Sequence, residues 1–145
     1  KLHVEDFYAD VESHARRSAQ TEVGAAIAAL LNRPPASVDA VLCWDLFDYL
    51  DRASAKEVAA ALVAVLKPGG WLHAFFGGTS GPLPHYTRFI IESRSVLRLK
   101  TLPATPATRQ AWVVRDIDRM FTGLTVVESV LLKSQSRETL FRKPV

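Results

Sequence analysis

One cysteine, Cys43, is all that the 145 residues contain. No disulfide can close within the chain, and the place of Cys43 in an apolar run fits a reducing compartment. The cytoplasm is therefore the expected location. No apolar run is long enough to span a bilayer, and no signal-peptide pattern opens the chain. Histidine is scarce, and neither His73 nor His85 has partners spaced as metal ligands. Charge of one sign is scarce too. The net charge is +3, and apart from Arg16-Arg17 and the group Arg94, Arg98 and Lys100 the cations are scattered, which is no nucleic-acid stripe. Repeats and low-complexity tracts are absent. What remains is a hydrophobic content of 48%, enough for one sizeable core and a single domain over residues 1–145.

The most informative stretch is Leu66-Lys67-Pro68-Gly69-Gly70-Trp71-Leu72. The segment Ser54 to Leu66 carries Val58, Ala61, Leu62, Val65 and Leu66 at helical spacing, so a helix is predicted there. Lys67 suits its C-terminus, and Pro68-Gly69-Gly70 turns the chain into a strand over Gly70 to Phe76. Upstream, Val38 to Leu50 is a continuous apolar run ending in acidic and aromatic residues. It reads as a strand buried on both faces of a parallel sheet. Strand, helix and strand make a βαβ crossover, which places ligands beyond the carboxyl ends of the strands, at Cys43 to Tyr49 and at Phe76 to Ser80.

Val38-Asp39-Ala40-Val41-Leu42 followed by Leu66-Lys67-Pro68-Gly69-Gly70-Trp71-Leu72 resembles class I S-adenosylmethionine-dependent methyltransferases around their fourth and fifth strands. The resemblance implies a three-layer Rossmann-like α/β fold, a mostly parallel sheet with an antiparallel C-terminal edge. It also implies S-adenosylmethionine as cofactor. That family's acidic-x-Gly-x-Gly loop does not occur among the seven glycines, so the domain is expected to be N-terminally truncated and to start at the second strand. The fragment alone is then expected to be inactive and to bind cofactor weakly.

Leu2 to Asp6 alternates like a strand and ends in Glu5-Asp6. In the family an acid at that position accepts hydrogen bonds from the ribose hydroxyls; Asp6 is the first choice and Glu5 the second. A solvated strand end or a helix cap is the alternative. Tyr8 to Ala19 is weakly periodic, whereas Thr21 to Leu31 has a helical stripe that Thr21 can cap. No third strand is visible between Asp6 and Val38. Beyond the fifth strand, Gly77 to Pro84 reads as a flexible substrate loop or lid. Tyr86 to Ile91 and Ser95 to Leu102 read as a hairpin, and Pro103 to Thr108 as a linker. A helix over Val113 to Phe121 and strands at Leu124 to Leu132 and Glu138 to Arg142 resemble the family's terminal antiparallel hairpin.

The resemblance puts Cys43, Trp44 and Asp45 beside the methyl group and methionine moiety, with Tyr49 one turn on. Trp44 and Tyr49 offer rings to a cationic sulfonium, and Asp45 is the candidate to orient an acceptor or take its proton. The opposing interpretation makes the two rings core aromatics and lets Asp45 or Asp48 cap the next helix. Where the family often has Glu-His-Leu, this chain has Asp48-Tyr49-Leu50, so no histidine base carries over. No Asn-Pro-Pro-Tyr motif occurs, which turns the expectation from nucleic acid to a small-molecule or metabolite acceptor, with neither nucleic acid nor membrane as partner. The rival functions are a non-catalytic Rossmann-like binding or scaffold domain and a nicotinamide-dependent reductase.

Overall fold

The computed structural model describes residue 2 and residues 32–145, with the side chains of 104–107 left aside. The expected Leu2 to Asp6 strand, with Glu5 and Asp6, and the expected helix at Thr21 to Leu31 lie outside the described residues.

Strand β1 (Val38–Trp44) leads through a 3-10 turn (Leu46–Tyr49) into helix α1 (Arg52–Val65) and strand β2 (Leu66–Gly77). A hairpin follows, β3 (Gly81–Ile91) and β4 (Leu97–Arg109), then helix α2 (Val114–Met120) and strands β5 (Thr125–Leu131) and β6 (Ser136–Arg142). The main sheet has the order β1-β2-β6-β5, and β3-β4 forms a separate two-stranded sheet. β1 runs parallel to β2, while β6 is antiparallel to both of its neighbours. The expected mostly parallel sheet is therefore mixed among the described strands, with the antiparallel edge as expected. The two helices touch each other and so share one side of this sheet, so helices on both faces do not appear among the described residues.

Several boundaries differ from expectation for identifiable reasons. The Val38 to Leu50 run is not one strand: it stops at Trp44, whose φ of 51° is left-handed and breaks the extended path. Helix α1 starts where Asp51 Oδ1 accepts the Ser54 N–H at 2.8 Å, so the cap is Asp51 and neither Asp45 nor Asp48. α1 buries Ala55, Val58, Ala59 and Leu62 at helical spacing. At its C-terminal end the carbonyls of Val63 and of Leu66, the residue just past the helix, are held by Lys143 Nζ at 2.7 and 2.8 Å. The turn at Pro68 to Gly70 is an irregularity inside β2, where Gly69 takes a φ of 76° and donates its N–H to the Lys143 carbonyl.

The hairpin is much longer than expected. Pro82 and Pro84, assigned to a flexible loop, and Pro103, assigned to a linker, lie in β3 and β4. A two-stranded ribbon leaves each strand one unpaired edge, where a missing N–H costs nothing. Only residues 78–80 separate β2 from β3.

The core lies between the sheet and the two helices. Leu72, Ala74 and Phe76 point into it from β2, and Phe47, Phe121 and Phe141 close around Phe76 with centroid separations of 5.5 to 6.5 Å. Trp112 joins them, its indole N–H donating to the Phe47 carbonyl at 3.2 Å. Phe47 is completely buried, so the 3-10 turn is pinned from below while its polar residues stay at the carboxyl end of the sheet.

Candidate functional site at the carboxyl ends of β1 and β2

β1 ends at Trp44, opposite Ala74, and the parallel β2 runs on to Gly77, so the turn that follows β1 lies alongside the end of β2. Asp48, one turn into the 3-10 segment, is buried, and its Oδ1 accepts the Gly77 N–H at 2.7 Å. Arg109, at the end of β4, returns the hairpin to this point. Its Nε donates to the Thr79 carbonyl at 2.9 Å and its Nη2 to Thr79 Oγ1 at 3.0 Å, while Nη1 lies 3.8 Å from Asp48 Oδ2. Trp112 N–H donates to the Gly77 carbonyl at 2.9 Å and Ala111 N–H to Ser80 Oγ at 3.2 Å, so the chain after the hairpin closes on the same loop.

Asp45 is paired differently. Its Oδ2 accepts from the Tyr49 hydroxyl at 3.3 Å, and no cation lies within ion-pair distance of it among the described residues. Burial, and then the neighbouring Asp48 charge, push Asp45 up to about 6. Burial also lifts Asp48 to about 6, against the opposing pull of the Gly77 N–H and Arg109. Tyr49 is raised well above its ordinary value, first by burial and then by the Asp45 charge. Two carboxyls are thus poised near neutrality, where proton exchange with a substrate is feasible.

Trp44 completes the site on the side facing away from the helices. Its ring stacks on Phe89 of β3 at 4.7 Å and 1°, with Phe75 at 6.5 Å and the His73 ring edge-on at 5.9 Å. His73, expected in the core, is only partly covered and pairs with Glu138 Oε1 at 2.8 Å. His85, expected on a substrate loop, is an exposed residue of β3.

The expected site residues therefore divide. Trp44, Asp45 and Tyr49 come together at the strand ends. The Cys43 side chain instead joins the apolar core, where burial pushes its thiol up to about 12. Sequence reasoning missed Asp48 as a site member, because its Gly77 partner is 29 residues away, and it missed Arg109 and Thr79. The conspicuous signal was the acid spacing Asp45, Asp48, Asp51, of which only Asp51 caps a helix with its side chain, Asp45 standing at the N-cap position of the 3-10 turn without such a bond. No group of three or more metal-ligating side chains occurs among the described residues. Among them no helix is long and apolar enough to cross a membrane.

No protein-family model matches this chain, and no curated protein matches its sequence. Solved structures do. A protein from Pyrococcus horikoshii superposes with a TM-score of 0.54 at 15% identity, over 77% of this chain and 54% of that one. A SAM-dependent methyltransferase from Methanosarcina mazei gives 0.52 at 13% identity, over 81% and 65%. The Burkholderia thailandensis 1,6-didemethyltoxoflavin-N1-methyltransferase, solved with its acceptor and S-adenosylhomocysteine, gives 0.51 at 15% identity, over 82% and 48%. The chain spans about half to two thirds of the length of these neighbours. From β1 onward the described residues have the Rossmann-like α/β fold of the C-terminal part of class I SAM-dependent methyltransferases.

Proposed function

We propose that the chain belongs to an S-adenosylmethionine-dependent methyltransferase acting on a small-molecule or metabolite acceptor. The observation that carries this reading is the meeting of Trp44, Asp45, Asp48 and Tyr49 at the carboxyl ends of the parallel pair β1 and β2, on a sheet whose last strand inserts antiparallel beside β2. The three-layer, mostly parallel arrangement belongs to the same proposal, with further strands beyond the β1 edge. The likeness to a methyltransferase that holds an acceptor and S-adenosylhomocysteine supports a small acceptor.

The residues present fit the cofactor. Asp45 is a sheltered carboxylate whose side-chain partner is a hydroxyl, beside the Trp44 ring, and both suit a ligand carrying a cationic sulfonium and an ammonium. When bound, the cofactor supplies an electrophilic methyl group for in-line displacement. Such a reaction depends on positioning and exclusion of water more than on a fixed catalytic dyad. In this reading Trp44 and Tyr49 border the cofactor, and Glu5 or Asp6 holds its ribose. Cys43 backs the wall from the core. Asp45 orients the acceptor or takes its proton, for which an ionisation near 6 is well matched.

Titration calorimetry of the full-length protein with S-adenosylhomocysteine tests the reading. Binding is expected, and Asp6→Ala should weaken it about ten- to a hundredfold, the loss of a charge-assisted hydrogen bond. Asp45→Asn should lower turnover and should also weaken binding, because it removes the carboxylate offered to the ligand's ammonium. Absence of binding would move the assignment to a non-catalytic Rossmann-like binding or scaffold domain.

A further inference from the structure

The net charge of the chain is carried by one element. The hairpin from Gly81 to Arg109 holds Arg88, Arg94, Arg98, Lys100 and Arg109 against a single acid, Glu92, for a net +4, more than the +3 of the whole chain. Along the sequence these cations look scattered, but the strand register sorts them. Arg88 faces Lys100 and Ile90 faces Arg98, while on the opposite side Phe89 faces Leu99 and Ile91 faces Leu97. One face of the ribbon is therefore basic and the other apolar. Phe89 anchors the apolar face on Trp44. Beyond it Ile91, Leu97 and Leu99 project from the body at 61%, 38% and 59% exposure. Arg98 pairs with Glu92 at 2.7 Å, whereas Arg88, Arg94 and Lys100 have no carboxylate in reach among the described residues.

We propose that the distal half of this hairpin, residues 88–100, docks on an anionic lipid surface. Such a surface satisfies both faces together: aliphatic side chains enter the acyl boundary while Arg and Lys reach lipid phosphates with their long stems. A second copy of the chain fits less well, because packing apolar face on apolar face leaves both basic faces outward with no counter-charge. A nucleic acid would engage the cations and leave the aliphatic face wet, with no ring at Ile91, Leu97 or Leu99 for a base to stack on. The sequence-level expectation of no membrane partner came from the lack of a spanning run, and a surface contact needs none. The inference rests on the hairpin alone and stands whether or not the methyl-transfer reading holds.

Flotation of the full-length protein with phosphatidylcholine vesicles, with and without phosphatidylglycerol, tests it. Partition onto the anionic vesicles is expected, weakening as salt rises. The pair Arg88→Gln and Lys100→Gln should weaken it about fivefold for each cation removed. The pair Ile91→Ser and Leu99→Ser should weaken it about tenfold or more. All four positions are exposed, so an unchanged far-ultraviolet circular dichroism spectrum separates lost docking from lost folding. No partition onto anionic vesicles, or partition that both pairs leave intact, overturns the proposal. So does tight binding to duplex DNA or RNA that needs the cations and ignores the aliphatic pair, which assigns the face to nucleic acid. A dimer in sedimentation velocity that the aliphatic pair dissolves would assign it to a second copy.

Discussion

Asp48 accepts the backbone N–H of Gly77 at 2.7 Å inside the protein, tying the 3-10 turn after β1 to the last residue of β2. This one bond fixes the gap between the two strand ends, and Arg109 reaches the same carboxylate from the hairpin. Removing the acceptor strands a buried donor. In urea titrations Asp48→Ala should be about 1–3 kcal/mol less stable than Asp48→Asn, which keeps a carbonyl oxygen for that N–H and removes the same charge. Equal stability of the two would mean that the Gly77 contact does not matter.

Asp45 and Asp48 should give the protein an unusual pH response. Both ionise near 6 when folded and near 3.8 when free, so the ionised form is penalised in the native state. The penalty is complete above about 6 and fades as pH falls toward the unfolded value. Asp45→Asn should therefore stabilise the protein by about 1–3 kcal/mol at neutral pH, and the gain should vanish below about pH 4. A gain constant across this range would count against the burial argument.

Glycine is required at Gly78, in the loop between β2 and β3, and not at Gly81, the first residue of β3. A Cβ on Gly78 would lie 2.4 Å from the Gln135 carbonyl oxygen, a backbone atom that cannot rotate away, whereas a Cβ on Gly81 meets nothing within 4 Å. Gly78→Ala should cost about 1–3 kcal/mol, and Gly81→Ala less than about 0.5 kcal/mol. Thermal unfolding of the two variants compares them directly.

Phe89 stacks on the strained Trp44. Trp44 sits at a φ of 51°, a conformation that a bulky residue keeps only when its surroundings enforce it, and of the rings around it Phe89 stacks nearest, at 4.7 Å, ahead of His73 and Phe75. Phe89→Ala should remove about 0.5–1.5 kcal/mol of stacking beyond the lost area. It should speed hydrogen exchange across residues 81–109 and red-shift tryptophan emission, while Phe89→Tyr restores both. Unchanged exchange would show that the hairpin is held by Arg109 instead.

Residues close in sequence were enough to specify the local elements. The stripe Val58, Leu62 and Val65 makes α1, and the apolar run at Val38 with the Pro68-Gly69-Gly70 signal marks two strands flanking it. The order helix, strand, strand at the end points to the antiparallel edge. Periodicity and turn chemistry act over a few residues, so they are legible without any tertiary information.

Only tertiary structure decided the rest. Whether Asp45, Asp48 or Asp51 caps a helix depends on where the chain leaves β1, and there the left-handed Trp44 stacks on Phe89, a contact between β1 and the hairpin. Prolines that signal loops became strand residues because a two-stranded ribbon supplies free edges. Cys43 went to the core and Trp44 to the site because alternate residues of one strand face opposite sides of the sheet. Arg109 joined Thr79 from 30 residues away, and cations that look dispersed along the chain were sorted onto one face by strand register. Long-range pairing is fixed by the shared burial of many residues at once, and that is information no single segment carries.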